Sequence, residues 1–145
     1  MRAVERVITQ AHAELVWRAL SDVEHWPDWT PTVTDITPLT NAPLGRGTRY
    51  RVVQPKLRPA IYEVTEYVPN RRFMWEQKLP GGALVADHCI SSGNGATEVE
   101  LSFTSHGLLA NVIATLFSRI ITQYVATEAK SLKTYCDSLS YERAS

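Results

Sequence analysis

The marks of a metal, nucleotide or serine-hydrolase enzyme are missing from this chain. It contains no HExxH, no CxxC and no carboxylate-rich loop, and its four histidines, His12, His25, His88 and His106, fall on separate elements, which argues against a dedicated metal site. No GxSxG elbow, GxxxxGK[ST] loop or GxGxxG turn occurs, and Gly93-Asn94-Gly95 fits a hairpin instead. Cysteine is scarce. Cys89 and Cys136 lie far apart inside apparent secondary structure, which suits packed, reduced thiols and a cytoplasmic setting better than a disulfide framework. An excess of charge of one sign is also lacking: 15 basic and 15 acidic residues cancel, so nucleic acid or an anionic membrane would need a local patch to bind. Long hydrophobic runs are absent too. The most apolar stretch, Leu108 to Val125, is interrupted by Asn111, Thr115, Ser118, Arg119, Thr122 and Gln123, and the opening MRAVERVITQ is charged and strand-like, unlike a signal peptide.

What is present fits one well-cored domain over residues 1–145, with 44% hydrophobic residues. Apolar positions recur at helical spacing from about Leu108 to Leu139 without a proline, which predicts a single long helix whose polar faces carry Glu128, Lys130, Lys133 and Asp137. A helix so rich in Leu, Ile and Phe, each worth roughly 1.5–3 kcal/mol when buried, needs an equally apolar surface to lie on. Val4 to Thr9 reads as a first strand, Ala13 to about Asp22 as a short helix, and His25 to Pro31 as a compact turn carrying Trp26 and Trp29. Six strand-like runs follow: Thr32–Leu39, Thr48–Gln54, Ala60–Val68, Arg71–Leu79, Leu84–Ser92 and Thr97–His106, divided by Pro, Gly and Asn turns. The order predicts an α+β architecture: a seven-stranded antiparallel sheet curled round the last helix, with a hollow between them.

Period-two alternation places Val99, Leu101, Phe103 and Ser105 on one face of the last strand. It places Phe73, Trp75, Gln77 and Leu79 on that face of another, and Leu84, Ala86, His88 and Ile90 on that of a third. Tyr50 and Val52 share the inward parity, whereas residues 60–68, including Tyr62, alternate poorly. His88 is the polar exception on an apolar face. A neutral imidazole there accepts a proton or holds a ligand carbonyl, or else is simply satisfied within the core; Gln77, Tyr50 and Tyr62 are its candidate partners. Phe73, Trp75, Phe103, Val112, Leu116, Ile120 and Tyr124 form either a ligand wall or plain core, and Trp26 and Trp29 either gate the hollow or anchor their turn. Asp87 adjoins His88, but neighbouring strand residues point to opposite faces. Arg46, Arg49, Arg51, Lys56 and Arg58 occupy a stretch without a carboxylate, which is either a solvated face or a dock for an acidic carrier protein or phosphorylated head group. The absence of interleaved aromatics argues against nucleic acid.

The segments Ala11-His12-Ala13-Glu14-Leu15-Val16-Trp17, Trp26-Pro27-Asp28-Trp29-Thr30-Pro31, Gly47 leading a strand, and Val64 through Pro69-Asn70-Arg71-Arg72-Phe73-Met74-Trp75, with the long closing helix, resemble the START-related helix-grip (SRPBCC) superfamily. The similarity is to its small bacterial polyketide cyclase/dehydrase-like branch. It implies a helix-grip fold with two short helices after strand 1, and a deep apolar cavity used for lipids, polyketides or other hydrophobic molecules. No catalytic signature of a characterised cyclase matches residue by residue, so none is carried over. Three functions follow: a cofactor-free binding module for a small hydrophobic ligand touching the inward residues above together with Ala86, Leu101 and Val52; a cyclase/dehydratase using His88 as acid/base; or a dimerisation or interaction domain using exposed helix residues such as Leu108 or Ile121.

Overall fold

A computed structural model describes residues 1–144, with the side chains of 143 and 144 excepted. Seven strands form one antiparallel sheet in the order β1-β7-β6-β5-β4-β3-β2: β1 is Arg2–Thr9, β2 Asp35–Pro38, β3 Arg49–Val53, β4 Ala60–Val68, β5 Arg72–Leu79, β6 Gly82–Gly93 and β7 Ala96–His106. The meander from β2 to β7 brings the chain back beside β1, with Val7 opposite Val99 and Ala3 opposite Phe103. Between β1 and β2 lie helix α1 (Ala13–Ser21) and a 3-10 turn (Val23–Asp28). α1 buries Leu15, Val16, Trp17 and Leu20, and has Glu14 in its first turn and Arg18 in its last, each complementing the helix dipole.

The predicted single closing helix is corrected by the structure to two, α2 (Leu108–Leu116) and α3 (Ser118–Ala144), which meet at 77°. Phe117 makes the corner, leaving helical geometry at ψ 16° while its N–H still reaches the Ile113 carbonyl at 3.0 Å. The Thr115 hydroxyl donates to the Asn111 carbonyl at 2.7 Å one turn earlier, a bond that favours bending. Packing supplies the physical reason. α2 sets its small residues Ala110 and Ala114 against β6 and β7, while α3 runs along β1 and α1; a straight rod would leave one half off the sheet.

The irregular alternation of β4 also has a cause: a bulge between Val64 and Glu66 shifts the register, so Tyr62 and Val64 face in and the next residue packed inward is Tyr67. At the other end of the sheet, the Thr9 hydroxyl donates to the Asp137 carboxylate at 2.6 Å and the Thr97 hydroxyl to the Ala11 carbonyl at 2.7 Å, tying α3 and the α1 entry to the strands. Both cysteines are free thiols, with Cys136 fully buried.

Candidate functional site: a cavity between the sheet and α3

The inner face of the sheet and the start of α3 do not close on each other; they leave a cavity of about 620 Å³. Its sheet wall comes from β3 to β7: Val52, Tyr62, Trp75, Gln77, Ala86, His88, Leu101 and Phe103. Trp26 closes it from the 3-10 turn, and Ile113, Phe117, Ile121, Tyr124, Val125 and Glu128 from α2 and α3. Apart from Tyr62, whose strand alternates poorly, these strand positions share the parity read from the alternation, because each strand has one dry face; Asp87 and Ser102, of the opposite parity, also border the cavity.

Six sequence-predicted site residues stand elsewhere. Val112 and Leu116 are exposed, and Ile120 does not reach the cavity; Ile113, Phe117 and Ile121 occupy the wall instead. The stretch is apolar on several faces, so two stripes one residue apart are equally greasy, and the corner at Phe117 selects the second. By the same correction Ile121 is buried in the wall, whereas Leu108 is 84% exposed. Tyr50 and Phe73 are buried behind the lining, Tyr50 against Trp75 at 6.0 Å and Phe73 beneath His88. Trp29 anchors: its ring stacks on Tyr135 of α3 at 6.4 Å and 15°, away from the cavity. Its indole N–H is buried without an acceptor among the described residues.

His88 lies in a cage of rings. Phe73 stacks on it at 4.1 Å and 15°, and Trp26 and Trp75 meet it edge-on at 5.5 and 5.8 Å. The Phe73 carbonyl, 3.0 Å from Nδ1, is an acceptor only, so Nδ1 must carry the proton and Nε2 keeps a bare lone pair. Burial holds the ring neutral, pushing its pKa down to about 4 against the smaller opposing pull of the Phe73 carbonyl. Asp87, as parity requires, lies on the opposite face, where its carboxylate receives Arg72 Nε and Nη2 at 2.9 and 2.8 Å.

Glu128 escaped the sequence reading, which assigned it to a polar face. It lies seven residues after Ile121 and three after Val125, and that spacing was the available signal. Partly buried among the cavity walls, its carboxyl is pushed up to about 8 by desolvation and is mostly protonated at neutral pH. Tyr62 titrates well above the usual phenol range, chiefly through burial and secondarily through the Glu128 charge. A carboxylic acid, a phenol, a carboxamide and a neutral imidazole therefore face one apolar space, with no charge among them at neutral pH.

At the mouth, the Tyr124 hydroxyl donates to the Pro55 carbonyl, joining α3 to the β3–β4 loop. Lys56, Leu57 and Arg58 of that loop border the opening, whereas Arg49 and Arg51 lie on the outward face of β3 and Arg46 in the preceding loop. The predicted basic cluster is thus divided between two surfaces. Among the described residues no group of three or more His, Cys, Asp or Glu is placed to hold a metal ion.

This arrangement of sheet, bent closing helices and internal cavity is accompanied by a match to one family profile across residues 1–137, described as polyketide cyclase / dehydrase and lipid transport. The chain belongs to that family. Solved structures share the fold at low identity: TTHA0849 from Thermus thermophilus has a TM-score of 0.75 at 17% identity, covering 97% of this chain and 99% of that one. Ara h 8.0201 gives 0.71 at 13%, covering 95% and 98%. The di-domain ARO/CYC BexL from the BE-7585A biosynthetic pathway gives 0.70 at 15%, with 92% of this chain matched to 45% of that one. A search of curated proteins returns no match. These likenesses show the helix-grip fold, and the family description, which includes lipid transport, is in keeping with hydrophobic ligands.

Proposed function

We propose that this helix-grip domain, residues 1–145, binds a flat, uncharged, mainly apolar molecule of lipid, polyketide or aromatic type that presents a hydroxyl group to His88. The observation that carries the reading is a buried imidazole that lines an apolar cavity with its Nδ1–H already given to the Phe73 carbonyl: the remaining Nε2 accepts hydrogen bonds and donates none, so it rewards an O–H and penalises a carbonyl at that point. Glu128 and Tyr62 both donate and accept, and suit a second oxygen further along the ligand. The rings of Trp26, Trp75 and Tyr62 favour a planar body. Free Cys89 and Cys136 support a reducing, cytoplasmic setting.

A second reading, ring closure with loss of water on a polyketide-like substrate, uses the same groups, with His88 accepting a proton and protonated Glu128 donating one. An imidazole kept neutral down to about pH 4 is a weak base, so binding takes precedence. Calorimetry with 2-naphthol and naphthalene as probes tests the choice of groups. The native protein should prefer the phenol by roughly tenfold, and His88→Phe, which keeps the ring stack on Phe73, should erase the preference while still binding naphthalene. Equal affinity for both probes in the native protein overturns the assignment.

A further inference from the structure

The cavity opens on a face unlike the rest of the surface. α2 buries its two alanines, sets Ile113 in the cavity wall and turns its other large apolar side chains outward: Leu108 is 84% exposed and Leu116 77%, with Leu109, Val112 and the corner residue Phe117 also exposed. Phe117 belongs to both this patch and the cavity wall, so patch and opening are continuous. Lys56, Leu57 and Arg58 of the β3–β4 loop line the same cavity, and Arg119 is exposed on the first turn of α3, one turn beyond Leu116. Neither segment that builds this face, residues 36–62 or 101–127, contains an Asp or Glu. In a chain with no net charge, these two segments thus carry cations and no acid; of the acids that line the cavity itself, Glu128 is held mostly protonated and Asp87 is paired with Arg72.

We propose that this face docks on an anionic lipid bilayer, α2 lying in the interface with its leucines among the acyl chains and Lys56, Arg58 and Arg119 at head-group level. The patch supplies what such a surface complements: exposed hydrocarbon on a short helix and basic side chains near it, in two segments that carry no carboxylate. A second copy of the chain answers it poorly, because a two-fold contact sets each patch against itself and brings the three cations together with no acid to pair them. The cavity opening faces the same way, so an apolar ligand passes between bilayer and cavity without crossing water. This docking stands apart from the ligand assigned above, and its test uses no cavity ligand.

Flotation with vesicles of phosphatidylcholine and phosphatidylglycerol in equal parts, against vesicles of phosphatidylcholine alone, decides it. The native protein should float with the mixed vesicles and much less with the neutral ones, and raising salt from about 0.1 to 1 M, which shortens the screening length from about 10 to 3 Å, should release it. Leu108→Ser/Leu116→Ser should lower the bound fraction roughly tenfold with an unchanged circular dichroism spectrum, since both side chains already stand in water, and Lys56→Glu/Arg58→Glu should abolish the preference for the anionic vesicles. Absence of the native protein from the floated fraction overturns the proposal. So does a native dimer at low micromolar concentration that the double serine variant converts to monomer, since the face then belongs to a second copy.

Discussion

Glu128 and His88 share one cavity and answer its dryness in opposite senses, the acid pushed up and the base pushed down, so both are neutral between about pH 4 and 8. Linkage turns this into stability. The unfolded chain ionises Glu128 near pH 4.5 while the native state resists until about 8, so the favourable contribution of the protonated acid is complete below 4.5 and drains away as pH rises through 8. For His88 the unfolded chain takes up a proton near 6.5 and the native state resists until about 4, so stability falls as pH drops across that window, by about 3 kcal/mol at 1.36 kcal/mol per unit. Between 4.5 and 6.5 the two slopes oppose each other. Glu128→Gln should leave the acid limb intact and flatten the alkaline one, with a higher melting temperature than the native protein at pH 8 and little difference at pH 5. A parallel fall of both proteins from pH 6 to 8 would show that the carboxyl is already ionised and hydrated in the native state. Beneath this pair, fully buried Phe73 supports His88 with its ring and its carbonyl alike; Phe73→Ala should cost about 3–5 kcal/mol in denaturant unfolding.

Among elements, the strands were legible and the helices only partly so. β7 reads correctly from Val99, Leu101 and Phe103 because a sheet with one wet face imposes a period of two that few substitutions can hide. The same logic kept the His88 ring, bonded to the Phe73 carbonyl, apart from the Asp87 carboxylate, bonded to Arg72, and carried Trp75, Gln77 and Ala86 to the cavity wall. The break at Phe117 was hidden because nothing in LFSRII forbids a helix; the bend answers the shape of the sheet, which periodicity does not encode. Glu128 was missed for a related reason, since a charged residue on a helix is read as a wet face and only the cavity reverses that. The junction feeding α2 is another three-dimensional constraint. Gly107 adopts φ +95° and a Cβ there would stand 2.3 Å from the Gly81 carbonyl oxygen, while one on Gly82 would stand 1.8 Å from the His106 carbonyl oxygen. Gly107→Ala should therefore cost well over the roughly 1 kcal/mol of a strained backbone alone and loosen α2 first, seen as faster amide exchange at Ala110 and Ala114. The Tyr124 bond to Pro55 is exposed, so Tyr124→Phe should shift stability by less than about 1 kcal/mol yet speed release of a bound probe in stopped flow. Unchanged release would mean that the β3–β4 loop does not govern passage.

For the molecule as a whole, a hollow of about 620 Å³ in a chain of 145 residues is space that burial would fill if stability alone shaped the sequence. The inward methyl of Ala86 lies across from Trp75 in register and from Phe103 on the other side, in the middle of the sheet wall. Enlarging it adds apolar surface where there is room instead of forcing atoms into a packed core, which reverses the usual penalty for small-to-large changes. Ala86→Leu should leave the melting temperature equal or higher, and each methylene it buries is worth up to about 0.8 kcal/mol. The same change should weaken the naphthalene probe by at least roughly tenfold, because the added branches occupy the volume the probe needs. Stability and ligand affinity moving in opposite directions is the signature of a space kept open for an occupant. If Ala86→Leu instead unfolds more readily and binds as before, the wall at Ala86 is tightly packed and the ligand sits elsewhere, nearer the α3 side that Ile121 and Glu128 line.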